Sequence, residues 1–311
     1  MLPMLPEEQQ EQILAVGGLG AASFEANVYG LTRYSGEGTL EEWLDASLAK
    51  ISENPMTDRQ IEALYSIADV VESDGVTPEM CFAPDAPGSY VWMVRELLAV
   101  NNPNPNAFQQ RNRWTRTVMS GQGLEQGDPT IITYSFVPDG TFIPNAGYGS
   151  GSSQLFAWLN SVYGDTATWQ GIFAQVFDRW AALTGVSYVY EPNDDGTSQR
   201  DFDGVLGIRG DVRIAAMILD GNSGLLAYNY YPEFGGEMVM DAFDSFYNNT
   251  FGDSLGFRNV IAHEHGHGLG MGHVCPVFQT KLMEPFVSFA FDGPQLDDVL
   301  NGHRHYGDPQ E

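Results

Sequence analysis

Cysteine is nearly missing from this chain of 311 residues: Cys81 and Cys275 are too few and too far apart in sequence to build a metal-binding cluster. Basic side chains are thin as well, 14 Lys and Arg against 41 Asp and Glu, for a net charge of −27. A field of that sign argues against nucleic acid and anionic membrane surfaces as partners, and it favours solubility, divalent cations and cationic substrates. An acidic surface suited to salty or calcium-rich surroundings accounts for the same balance. No run approaches the roughly 18 apolar residues of a membrane span. Residues 1–33 place no basic residue ahead of an apolar run, so no secretory signal is visible; the apolar stretch 13–22 follows glutamates instead. Internal repeats are missing too. With 43% hydrophobic residues the chain can still bury a substantial core. Histidine is also scarce, but four of the six fall in one eleven-residue run, HEHGHGLGMGH.

In that run His263, Glu264, His267, Gly270 and His273 fit HExxHxxGxxH at every fixed position. Residues four apart on a helix lie on one face, so His263 and His267 can each offer a ring nitrogen to one ion at roughly 2.0–2.1 Å. Glu264 lies about 100° further round, poorly aimed as a ligand but well placed to reach water beside the metal, as a general base would. Gly270, free to take positive φ, turns the chain back so that His273 closes a third corner, and the fourth is left to water. The chemistry this spacing points to is metal-assisted amide hydrolysis by one catalytic zinc. His265 projects about 200° from His263 and reads as a surface or second-layer histidine. His303 and His305 read as surface residues.

Other segments have their own signatures. A short β-rich run at 131–137 lies between turn signals, and 186–190 and 212–218 also read as strands. Residues 166–183 carry Ile172, Phe173, Val176, Phe177 and Trp180 at helical spacing, an apolar core stripe. Residues 257–268 read as the histidine-bearing helix. Gly266 and Gly268 weaken it by about 1 kcal/mol each relative to Ala, so it needs support from packing and metal. Before these, 40–50, 58–71 and 90–100 read as helices, and NNPNPN at 101–106 as a break.

The zinc motif followed by LMEP at 282–285 resembles the metzincins, in which a tight turn sets a methionine beneath the metal; Met283 is the matching residue. The segments IITYSFVPDG at 131–140, VFDRWAALTGVSYVY at 176–190, RGDVRI at 209–214, DGNSGLLAY at 220–228 and DDVLNGHRHYG at 297–307 are similar to the matrixins, of bacterial type, over about 180 residues. The resemblance implies an α+β zincin fold: a twisted mixed sheet, an active-site helix and a small C-terminal subdomain. It also implies an extended peptide bound along an edge strand at Leu226 and Ala227, with Pro285 to Val287 walling a side-chain pocket. Asp220, Asp241 and Asp244 match positions that hold calcium in that family, so calcium is expected there, a solvated acidic turn being the alternative. Tyr228 and Val239 stand where the family's second zinc has histidines, so only one zinc is expected. Val274 replaces a hydroxyl residue after the third histidine, and the family's tyrosine beyond Met283 is absent, Val287 standing there. Specificity therefore does not carry over.

The domain organisation expected is a mainly helical N-terminal region at 1–105, a linker at 106–130 and a peptidase domain at 131–311. CFAPD at 81–85 echoes the end of the matrixin inhibitory signature, in which a cysteine thiolate takes the fourth zinc position, though Met80 and Phe82 replace the expected arginine and glycine. A prosegment with Cys81 as inhibitory thiol, a Cys81–Cys275 disulfide and two unpaired thiols all remain open. The function expected is that of a zinc endopeptidase acting on proteins or peptides as a monomer, outside the cytoplasm. The alternative is a catalytically idle zinc protein that binds peptide strands for adhesion or assembly, a role that has no need of Glu264.

Overall fold

The computed structural model describes residues 30–51, 55–73, 76–100, 110–200, 203–274 and 280–309. Its elements run α1 (Leu40–Leu48), α2 (Asp58–Ser73), β1 (Glu79–Phe82), α3 (Gly88–Ala99), β2 (Thr130–Phe136), α4 (Leu155–Tyr163), α5 (Thr166–Leu183), β3 (Val186–Tyr190), β4 (Val212–Met217), β5 (Leu225–Asn229), β6 (Met238–Asp241), α6 (Phe251–Gly268) and α7 (Leu296–Tyr306). Two short ribbons, Arg116–Thr117 with Gly121–Gln122 and Phe142–Ile143 with Gly151–Ser152, lie outside the main sheet. Among the described residues no helix is long and apolar enough to cross a membrane.

The main sheet has six strands in the order β1-β5-β6-β4-β2-β3. Strands β6, β4, β2 and β3 run parallel, while β5 and β1 join antiparallel, giving the mixed sheet expected from the sequence. All six residues of β4 are buried, the mark of a strand covered on both faces. One face packs against α5 and α6, where Phe173, Phe177 and Trp180 meet Ile132, Ile214, Met240, Val260 and Ile261. The other lies under the N-terminal helices, where Leu44, Leu64, Ile67, Tyr90 and Val94 meet Ala215, Met217, Leu225, Tyr228 and Val239.

Helix α5 starts at an Asp165 cap, whose side chain accepts from the Thr168 N–H, and its apolar stripe faces the core. Helix α6 is buried along all of 256–268, so that stretch has no solvent face. Its histidine-rich sequence departs from ordinary helix patterning for that reason: each polar side chain must find a specific partner in the interior.

The N-terminal region contributes more than helices. Its strand β1 pairs along β5 in the register Glu79↔Asn229, Met80↔Tyr228 and Cys81↔Ala227. The edge expected to stand open to a peptide at Leu226 and Ala227 is thus already filled by this chain's own backbone. Four residues with one cysteine among them gave no strand signal strong enough to announce this.

Candidate metal centre

Helix α6 presents His263 and His267, and Gly270 then takes φ 86° and reverses the chain. A Cβ at Gly270 would also run into the Asn112 carbonyl, so the close approach of that backbone reinforces the need for glycine. The turn brings His273 back beneath the helix. Its Nε2 lies 3.2 Å from His263 Nε2, and His267 Nε2 lies 3.0 Å from the same atom.

The outer nitrogens fix the tautomers. His263 Nδ1 faces the Leu282 carbonyl at 2.7 Å and His267 Nδ1 the Met271 carbonyl at 2.7 Å, and a carbonyl only accepts, so both nitrogens carry protons. His273 Nδ1 faces the Glu79 carboxylate at 3.1 Å. Three Nε2 lone pairs therefore converge with no proton to share. Burial, then the neighbouring imidazoles, push the His263 ring well below its ordinary pKa, and the same causes bring His267 down to about 3. A divalent cation suits this donor set: bonds of roughly 2.0–2.1 Å at tetrahedral angles put ligand nitrogens ~3.3–3.4 Å apart, close to the spacing here.

Glu264 lies beside the trio with no exposure, and neither carboxylate oxygen has a side-chain hydrogen-bond partner, the Cys81 backbone N–H being the donor that faces it. Burial, then the Glu79 charge, lifts its pKa well above the usual carboxylate range. Cys81 Sγ, a His263 ring nitrogen and a Glu264 oxygen lie within 4.8 Å of one another. The Cys81 thiol is buried and pushed up in pKa, first by burial and then by Glu264. Cys275 lies outside the described residues, and so does any pairing of Cys81 with it. Met283 is wholly buried, and a Cβ at Gly266 would collide with its sulfur. Gly266 is therefore a packing residue as well as a weak helix former.

The wall residues are in contact with β1. Phe82 N donates to the Pro285 carbonyl at 2.9 Å, Val287 N donates to the Phe82 carbonyl at 3.2 Å, and Ala83 N reaches Gly224 O at 2.8 Å. Residues 79–83 thus lie between β5 and the 285–287 segment.

Asp220, Asp241 and Asp244 are organised differently. Asp220 takes the Leu225 N–H on both oxygens at 3.0 Å. Asp241 takes Leu219, Gly221 and Phe243 N–H groups, and Asp244 takes Ser223 and Phe246 N–H groups. Among the described residues, the groups of three or more His, Cys, Asp or Glu side chains that could hold a metal are both at the histidine site. The structure therefore gives calcium no support here: these carboxylates brace the loop through its backbone. Tyr228 and Val239, at the positions of the family's second zinc, are buried among apolar side chains.

Two histidines differ from expectation. His305 is buried, with Nε2 3.1 Å from Gly270 O, and is no surface residue. His265 is fully buried on the far side of α6, with Nε2 2.7 Å from the Tyr188 hydroxyl, which excludes the surface half of its reading. His303 is half-buried and contacts Leu183 O at 2.8 Å. Sequence reasoning also passed over Glu79 and Tyr231, whose hydroxyl donates to Glu79 at 2.6 Å. No motif marks either one, since their roles depend on strand pairing across 150 residues of chain.

No curated protein matches the chain. Residues 160–301 match the family model described as matrixin, a span holding α5, most of the sheet and all three histidines but neither β1 nor β2. That family consists of metallopeptidases with a catalytic zinc, and the histidine cluster fits the metal. Residues 160–301 therefore match a matrixin-like metzincin catalytic domain.

Proposed function

We propose that the chain is a zinc-dependent endopeptidase in which His263, His267 and His273 hold the metal and Glu264 is general base and proton shuttle. The observation that carries this reading is the convergence of the His267 and His273 Nε2 lone pairs on His263 Nε2, at 3.0 and 3.2 Å, beside a buried carboxylate with no side-chain hydrogen-bond partner. When bound, zinc supplies a Lewis acid that polarises a peptide carbonyl and makes water more acidic. Glu264 takes a proton from the attacking water and returns it to the departing amine. Met283 supports the site from below. Leu226 and Ala227 offer main-chain hydrogen bonds to an extended peptide, with Pro285 and Val287 on its other side.

The strand already lying there supports the slot's capacity for extended chain, and it also supports latency. With 79–83 in place Glu264 is sealed from solvent, so residues 1–105 act as an inhibitory region on the peptidase domain at 131–311, with Cys81 as the inhibitory thiol near His263. The substrates are proteins or peptides, met outside the cytoplasm by a monomer; the family match supports the substrate class.

The test is to incubate zinc-loaded protein with a denatured protein mixture, before and after limited proteolysis of the N-terminal region, and to sequence the new peptide ends. Cleavage by wild type and none by Glu264→Ala is expected. Equal cleavage by both would overturn the mechanism. Cys81→Ser should raise the activity of the full-length chain, and unchanged activity would remove the thiol lock.

A further inference from the structure

The three histidines are not oriented alike. His263 and His267 stand on a helix, and backbone carbonyls of Leu282 and Met271, both within the matrixin match, hold their Nδ1 atoms. His273 stands after the helix has ended and is the most exposed of the three, at 21%. Its Nδ1 is held by a side chain instead, Glu79 Oε2 at 3.1 Å, from a strand outside the matched span. That carboxylate is itself fixed. Its other oxygen accepts from the Tyr231 hydroxyl at 2.6 Å, Arg111 Nε donates to the same hydroxyl at 3.3 Å, and pairing with Asn229 sets the backbone.

We propose that Glu79 is a positioning residue for the third zinc ligand, so that the N-terminal region completes the metal centre as well as covering it. The proposal rests on the zinc reading of the histidine trio. A carboxylate on the outer nitrogen of a ligating histidine fixes the ring's tautomer and orientation and makes the inner nitrogen a stronger donor than a carbonyl would. His273, on irregular backbone, has most to gain from such a hold. The same short strand therefore carries two opposed contributions: its backbone fills the cleft, and its first side chain steadies the metal. Displacing 79–82 to admit substrate loosens His273 at the same time.

The experiment measures zinc affinity of the full chain by competition with a chromophoric chelator, for wild type, Glu79→Gln, Tyr231→Phe and, as control, Glu62→Gln on the exposed side of α2. Melting of the metal-free proteins and the visible spectrum of cobalt(II)-loaded samples are recorded alongside. Glu79→Gln should bind zinc about 10–100-fold more weakly, with cobalt bands shifted and metal-free melting unchanged. Tyr231→Phe should show a smaller loss, and the control none. Zinc affinity within twofold of wild type and an unshifted cobalt spectrum in Glu79→Gln would overturn the proposal while leaving the metal centre standing. Should that variant fold poorly, Glu79→Asp, which keeps the charge but draws it back by one methylene, must weaken zinc and shift the cobalt bands; wild-type behaviour there overturns the proposal equally. A wild-type chain that binds no zinc would overturn the metal reading first and this inference with it.

Discussion

The histidine trio and the aspartate trio looked alike as strings of ligand residues, and the fold treats them in opposite ways. At His263, His267 and His273 the outer atoms are satisfied and the inner lone pairs point at one another. At Asp220, Asp241 and Asp244 the oxygens are taken up by backbone N–H groups of the 219–225 loop and of residues 243–246. Ligand chemistry alone does not make a metal site. What distinguishes one is donors held in place by other contacts and left with nothing to bind but each other.

The largest effect that would break this contrast lies beside the histidines. Glu264→Ala should retain zinc yet lose on the order of 10²–10⁴ or more in peptide cleavage rate, read from initial rates with metal content measured in parallel. A variant that lost its zinc would show Glu264 to be a structural support instead.

Metal dependence comes next. Zinc at ~1,000 times its Kd should stabilise the fold by about 4 kcal/mol, and His267→Ala should abolish that gain in thermal melts. Calcium should leave the melting of either protein where it was. A calcium-induced rise that disappears in Asp241→Asn would restore the aspartates as a cation site and end the contrast.

Third, Asp241→Ala strands three backbone N–H groups and should cost about 3 kcal/mol, since each buried unpaired group costs ~1–3 kcal/mol and water can recover part of that. The loss in urea midpoint should be the same with and without calcium.

The fourth effect is spread over pH. Burial, then the nearby Asp241 charge, lifts Asp220 to about 8. A carboxyl whose folded pKa lies above its unfolded value of ~3.9 binds its proton more tightly when folded. Its stabilisation is full below about pH 4 and is lost as pH rises toward 8, by at most about 1.4 kcal/mol per pH unit. Asp220→Asn should flatten the decline in urea midpoint between pH 5 and pH 8, and an unchanged slope would show the group ionised in the folded chain. His305 runs the other way. Burial lowers it to about 4, so its contribution is full above about pH 6.5 and lost as pH falls toward 4.

Local pattern carried much of this fold. Helix α5 spans Thr166–Leu183 and β3 spans Val186–Tyr190, as the apolar spacing and the turn signals implied. The zinc motif showed which histidines to bring together because its spacing is itself a statement about helix geometry. What escaped notice depends on distant partners. His305 is buried because Gly270 O, far away in sequence, meets its ring nitrogen, and His265 because its ring nitrogen shares a hydrogen bond with the Tyr188 hydroxyl across the core. Strand β1 escaped because its pairing with Leu225–Asn229 reaches across nearly half the chain, and four residues cannot display an alternation to announce it. Glu79 is the extreme case: a lone carboxylate whose significance is set wholly by where β1 docks.

Strand β1 also guards the protein against itself. All five residues of β5 are buried while β1 is paired along it. A chain from which β1 has withdrawn would bare a row of unpaired N–H and C=O groups flanked by Leu225 and Leu226, a template for any other extended chain. An incoming peptide would silence that edge again. In its absence another copy of this protein could do so, and open molecules would be expected to stick to one another at concentrations where closed ones stay apart.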